Sequence, residues 1–222
     1  MGTVLVIGAS RGIGLEVARQ YRQAGDRVIA TARDAAGLER LRALGAEVLR
    51  VDVAQPASVS GLAWALDGEK LDVAVYVAGV MDRASARTPP TQQAFDRVMH
   101  TNVLGAMQVM PQVLPAVEEA DGVFAVLSSG LGLIGRAADS QCWLYRASKA
   151  ALNMVVSSAR FDYPKARCVA LDPGWVQTDL GGPQASLSVH DSVADLRQVI
   201  ARLTLADSGH FFHRDGRRAE HW

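Results

Sequence analysis

The chain alternates short, almost wholly apolar runs with longer stretches of helical periodicity, and few architectures accept that rhythm. The runs fall at residues 3–7, 27–31, 46–51, 71–77, 123–128 and 166–171. Strands with no polar face must be covered on both sides, and every intervening segment is long enough to hold a crossover helix. The pattern predicts an α/β fold: a doubly wound, mostly parallel sheet with helices on both faces. Helices are expected near residues 13–23, 56–65, 91–117 with an interruption near Pro111, 144–160 and 188–204. A late seventh strand at 209–213 would close the sheet edge. No repeat, linker or low-complexity tract divides the chain, so residues 1–222 read as one domain.

Composition narrows the function classes. Lys plus Arg and Asp plus Glu both total 23, which excludes the basic footprint of a nucleic-acid binder. The two cysteines, Cys142 and Cys168, are too few and too far apart for a disulfide framework or a zinc site. A reducing, cytoplasmic setting is expected, since the apolar stretch 4–7 lacks the basic lead and long greasy segment of a signal peptide. The longest uncharged run, 98–117, carries His100, Asn102, Gln108, Pro111, Gln112 and Pro115, which hydrocarbon would penalise. It reads as a buried helix, not a membrane span.

The first strand empties into Gly8-Ala9-Ser10-Arg11-Gly12-Ile13-Gly14, and the amphipathic pattern Leu15, Val17, Ala18, Tyr21 follows at once. Glycines suit such a turn because it needs unusual backbone angles and lets a pyrophosphate approach main-chain N–H groups at a helix N-terminus. The spacing is GxxxGxG, not the GxGxxG of the Rossmann fingerprint, and a tight turn without a ligand would have the same glycines. About 20 residues on, where an acid would grip the adenosine ribose, the sequence has Ala32 followed by Arg33. Arg33 and Arg11 could clamp a 2′-phosphate by charge-assisted bonds, which favours NADP(H) over NAD(H). NAD(H) stays possible through Asp34, which could reach the ribose hydroxyls.

Tyr145 and Lys149 stand four residues apart in Tyr-Arg-Ala-Ser-Lys, on one face of the expected helix. An ammonium beside a tyrosine favours the phenolate and suits it to proton transfer. With the glycine loop, Asn102, Ser128-Ser129, the Tyr145/Lys149 pair and Pro173-Gly174 in that order, the chain resembles the short-chain dehydrogenase/reductases in their short single-domain form. The stretch from Pro173 through Gly174, Trp175, Val176, Gln177 and Thr178 to Asp179 is most similar to the C-factor and sniffer-type carbonyl reductase branch.

The resemblance implies an NADP(H)-dependent oxidoreductase exchanging hydride between nicotinamide and a small carbonyl or alcohol. Tyr145 would be the general acid and base, Lys149 would tune it and hold the nicotinamide ribose, and Ser129 would bond the substrate oxygen. Asn102 would bend its helix and anchor a water leading to Lys149, although packing alone could keep an asparagine there. Ser128 would be structural. Gly8, Ser10, Arg11, Gly12, Ile13, Gly14 and Arg33 would hold phosphates. Asp52 and Val53 would meet the adenine, unless Asp52 merely caps a turn. Ala78, Gly79 and Val80 would let the cofactor lie close to the backbone. Pro173, Gly174, Val176 and Thr178 would contact the carboxamide and phosphates, though turn chemistry also explains Pro-Gly.

Three departures from the family pattern stand out. Ile7 replaces a common threonine, Tyr76-Val77 stand where two asparagines usually brace the sheet, and Ser129 and Tyr145 are 16 residues apart, which predicts a bulged loop at 136–143. Trp143 and Trp175 flank the proposed centre and could line an apolar pocket. The uncharged faces of 91–117 and 144–160 suggest a homodimer. No metal site, nucleic acid or membrane partner is expected. The alternative function is a regulatory protein that uses NADP(H) as a ligand on the same fold.

Overall fold

The computed structural model describes all 222 residues. Seven strands form one parallel sheet in the order β3-β2-β1-β4-β5-β6-β7: β1 Thr3–Ile7, β2 Arg27–Ala32, β3 Glu47–Arg50, β4 Val73–Tyr76, β5 Val123–Leu127, β6 Arg167–Asp172 and β7 Phe211–His213. The period of two divides each strand between two cores. Leu5, Ile7, Tyr76 and Phe124 pack toward Val109, Met110, Leu152 and Val156, while Val4, Val6, Val75 and Ala125 pack toward Val17, Tyr21, Val193 and Leu196. Helices therefore cover both faces, as the apolar runs require.

The helices are α1 Gly12–Gln23, α2 Ala35–Ala43, α3 Pro56–Val59, α4 Leu62–Ala65, α5 Gln92–Met99, α6 Gly105–Glu118, α7 Trp143–Ala159 and α8 Val189–Ile200. Helix α2 is a correction, because the sequence pattern gave no helix between β2 and β3. Asp34 caps it by accepting from Gly37 N at 2.7 Å. A Cβ on Gly37 would lie 2.7 Å from Ser10 Cβ and 2.9 Å from Ala32 Cβ, so glycine lets α2 pack against the loop after β1. The expected helix at 56–65 is two short pieces that break at Ser60 and Gly61. The helix expected to run to 204 ends at Ile200.

The long helix is not interrupted at Pro111. α6 runs through Pro111 and Pro115, both exposed, so the carbonyls they leave unpaired, those of Met107 and Pro111, lie on the solvent side. The break comes earlier, as a π-turn over His100–Leu104 that re-aims Asn102 inward. Tyr76 braces this turn, its hydroxyl donating to Thr101 O at 2.8 Å. A Cβ on Gly105 would lie 2.7 Å from that hydroxyl, so the small residue makes room for the large one. Where the family pattern has asparagine, a tyrosine supplies the brace from within the core that α6 covers.

The strand order reverses between β1 and β4, and the chain leaves the carboxyl ends of the two strands in opposite directions. An open parallel sheet has its crevice at such a point.

Candidate active site

A cleft of about 550 Å³ runs along the carboxyl ends of the strands. At its middle, Gly8 has φ +85° and Gly12 φ +53°, conformations that side chains resist. A Cβ on Gly8 would lie 2.8 Å from the backbone of Ala78. Arg11 stands at the N-cap of α1 without a side-chain cap bond, and no acid occupies the first turn. The first N–H groups of α1 are thus free for an anion, and the helix dipole favours one. A cradle that admits only glycine beside an uncapped helix start fits a dinucleotide pyrophosphate.

At one end of the cleft lie Ala32, Arg33, Asp34, Arg40, Val51, Asp52 and Val53. Asp34 caps α2 through its Oδ1 and also lines the cleft beside Arg33. Arg40, which the sequence reading missed, reaches from α2 to the loop after β1 and donates to Ser10 O at 3.0 Å. Only knowledge of α2 could have placed it there. Arg11 is less available than expected, because it pairs with Asp179 at 2.8 Å across the cleft. Asp52 holds a turn, its Oδ1 accepting from Ala54 N at 3.1 Å, and it also lines the cleft.

At the other end the sequence pairs converge. Tyr145 and Lys149 are buried on α7, with Lys149 Nζ 5.6 Å from the tyrosine ring centre. Lys149 Nζ donates to Leu127 O at 2.7 Å, and its burial lowers its pKa to about 8. Burial pushes the Tyr145 phenol above its ordinary range, while a hydrogen bond with Ser129 pulls it down and the Asp172 charge raises it further. Desolvation is the largest of these effects, and Lys149 stands by the ring with one of its three N–H groups given to the Leu127 carbonyl. Ser129 also accepts from Leu131 N at 3.1 Å, which shapes the short turn Gly130–Gly132. Ser128 donates to Asn153 Oδ1 at 2.5 Å, a structural role.

Asn102 is fully buried and all its groups have partners: Nδ2 donates to Val80 O and to Ser148 Oγ, each at 2.9 Å, and Oδ1 accepts from Val80 N at 2.8 Å. It ties the π-turn to the loop after β4 and to α7. A Cβ on Gly79 would lie 3.5 Å from Asn102 Oδ1 and 3.6 Å from Lys149 Nζ, so all three meet at one point.

Gly8, Ser10, Arg11, Gly12, Ile13, Arg33, Asp52, Val53, Ala78, Gly79, Val80, Tyr145, Lys149, Pro173 and Thr178 line the cleft, as do the unforeseen Arg40, Thr101, Gln177, Asp179 and Leu180. Asn102, Ser129, Gly14, Gly174 and Val176 do not: Asn102 is fully buried, Ser129 starts the short turn behind Tyr145, Gly14 is inside α1, Gly174 (φ +77°) makes the turn, and Val176 is buried and bridged to Leu187. Trp175 is exposed, its Nε1 donating to Gly181 O at 2.8 Å. Residues 137–141 form an exposed loop, as the long Ser129 to Tyr145 spacing required.

No helix is long and apolar enough to cross a membrane, and no cluster of three or more His, Cys, Asp or Glu could hold a metal.

The geometry agrees with what the chain is similar to. The 1-hydroxy-2-glutathionyl-2-methyl-3-butene dehydrogenase of Rhodococcus sp. (strain AD45) is 35% identical over 97% of this chain and 98% of its own length. The crystal structure of NADPH-bound carbonyl reductase from chicken fatty liver is 28% identical with a TM-score of 0.90, covering 100% of this chain and 99% of that one. Carbonyl reductase Sniffer of D. melanogaster is 27% identical with a TM-score of 0.91, each chain covered in full. Residues 2–186 match the family model described as short chain dehydrogenase, and with the crevice, the glycine cradle and the Tyr145/Lys149 centre this makes the chain a member of the short-chain dehydrogenase family, an oxidoreductase.

Proposed function

We propose that residues 1–222 act as one dinucleotide-binding and catalytic domain that reduces small aldehydes or ketones with NADPH, reversibly. The observation that carries this reading is the placement of Tyr145 and Lys149, backed by Ser129 and Asn102, at the end of a cleft whose other end holds Arg33 and Arg40. NADPH bound in that cleft would supply the hydride. The glycine cradle and the α1 N-terminus hold its pyrophosphate, and Arg33, with Arg40 beside it, holds the 2′-phosphate. Tyr145 gives its proton to the carbonyl oxygen, while Ser129 bonds that oxygen as charge builds on it. Lys149 holds the nicotinamide ribose, and Asn102 fixes the backbone at Val80 and, through Ser148, the pitch of α7.

The dehydrogenase and carbonyl reductase names of the relatives support the same chemistry. A purely regulatory NADP(H) ligand would not need this set, so the enzyme reading is preferred. The two unpaired cysteines suit a reducing, cytoplasmic setting. NADPH consumption over a panel of aldehydes and ketones tests the activity, with Tyr145→Phe as control. That change removes one hydroxyl and should lower turnover on the order of 10² to 10⁴-fold with NADPH affinity nearly unchanged. Full activity in Tyr145→Phe would remove the proposed mechanism.

A further inference from the structure

Behind the reaction centre lies a line of three side chains that the roles above leave unused. Asp172 ends β6, and the parallel register sets it beside His213 of β7. His213 Nδ1 donates to Asp172 Oδ2 at 3.0 Å, and both side chains are largely shielded from water. Asp172 Oδ1 accepts from Gly174 N at 3.1 Å. On the far side of the ring, Arg136 Nη1 stands 3.5 Å from His213 Nε2, the lone pair that a ring donating through Nδ1 leaves free. Arg136 is exposed and closes the short turn Ile134–Arg136 that follows the Ser129 loop. A Cβ on Gly130, the residue after Ser129, would lie 3.1 Å from Asp172 Oδ2. One shielded carboxylate thus meets the Ser129 loop twice: directly at Gly130, and through His213 at Arg136.

That carboxylate lies against the residue following Ser129, the serine that bonds Tyr145, and its charge opposes ionisation of the phenol. Tyr145 is faced by Ser129 from the loop after β5, by Asp172 from β6, and by Lys149 and Cys142 from the α7 side. Asp172 is the one carboxylate among them. His213 is faced by Asp172, Arg136 and Asp215, while the next residue, Arg214, is tied to Asp195 of α8.

We propose that Asp172, His213 and Arg136 form a positioning relay for the carbonyl-reducing centre, in which Asp172 keeps Tyr145 in its proton-donating form and Arg136, linked through the His213 ring, tempers that charge and pins the loop carrying Ser129. The relay rests on the reading of Tyr145 as proton donor. It biases the site toward reduction, because a tyrosine that holds its proton is ready to give it to a carbonyl and slow to take one from an alcohol. None of the three touches the reacting atoms.

The test uses the full chain, Asp172→Asn, which keeps the shape and removes the charge, and Arg136→Gln, which alters an exposed residue. Oxidation of 1-phenylethanol with saturating NADP⁺ is followed against pH, the rate rising as Tyr145 gives up its proton. The midpoint should fall by about one pH unit in Asp172→Asn and rise by a smaller step in Arg136→Gln. Tyrosinate absorbance, taken as the difference between each protein and its Tyr145→Phe counterpart, should move in the same directions and needs no turnover. Shifted tyrosinate midpoints in a protein that oxidises no alcohol would uphold the relay while counting against the proposed activity. Midpoints unmoved by both methods, even with activity or melting temperature lowered, overturn the relay and leave a merely structural contact. Should Asp172→Asn fail to fold, Arg136→Gln decides by the same two midpoints.

Discussion

Lys149 is a cation that the fold has taken out of water, only 3% exposed, and the cost has a sign that can be measured. Its pKa falls from 10.5 to about 8, so between those values the unfolded chain binds a proton that the folded one does not. Stability from this group is fully present above the unfolded value and is lost as pH falls through about 8. Urea unfolding should therefore show the wild type gaining on the order of 2 to 3 kcal/mol relative to Lys149→Met between pH of about 7.5 and 10. Parallel stability curves would show that Lys149 keeps its ordinary affinity for protons. At the adenosine end, Arg33 offers a cation and Ala32 no acid, with Asp34 occupied at the α2 cap. NADPH should bind at least tenfold more tightly than NADH, about 1.4 kcal/mol. Ala32→Asp with Arg33→Ala should reverse the preference, as read by titration of intrinsic fluorescence. Tyr145, Lys149 and Arg33 were legible from their spacing to nearby residues, and Ser129 through the family resemblance. Arg40 and the Asp172–His213 pair were not, because α2 and the β6–β7 register bring them to the site from positions with no local pattern.

At the scale of elements, α2 shows how a helix serves a loop. Gly37→Ala should favour the helix itself by about 1 kcal/mol, yet the added methyl would press on Ser10 and Ala32. Overpacking of this kind costs roughly 1–3 kcal/mol, so it should win. Thermal unfolding should show a lowered Tm with helix content retained, and NADPH affinity should drop several-fold because Ser10 lies in the cradle. An unchanged affinity would mean that α2 can shift away without moving the loop. The π-turn teaches the converse lesson. The sequence signalled a break in the long helix, but the prolines that drew attention to Pro111 sit harmlessly on the solvent face, and the break falls where the buried Asn102 must reach Val80 and Ser148.

For the whole molecule, large apolar side chains are exposed at several places, among them the helices whose uncharged faces suggested pairing. Phe95 of α5, Met107 of α6 and Met154 of α7 are exposed, the last two by 53% and 66%. Exposed apolar side chains on paired helices suit an interaction surface, and the chain should sediment as a homodimer at micromolar concentration. Met107→Asp with Met154→Asp should yield monomers, and a wild type that sediments only as a monomer would remove this expectation.

The sequence by itself determined the fold class, because runs apolar on both faces and long crossovers leave a parallel sheet between helical layers as the arrangement that buries them. It also determined the glycine turn, the end of β2 with Ala32 and Arg33, and the Tyr145/Lys149 face, since each depends on neighbours within a few residues. Only the tertiary structure decided which of these groups are free to act. It assigned Asp34 to a helix cap, Arg11 to Asp179, Lys149 to the Leu127 carbonyl and Tyr76 to the π-turn. The Asp34 cap is local and waits only on α2 forming, whereas the other three turn on contacts between residues 22 to 168 apart in the chain, where burial and hydrogen-bond competition, not local propensity, set the outcome.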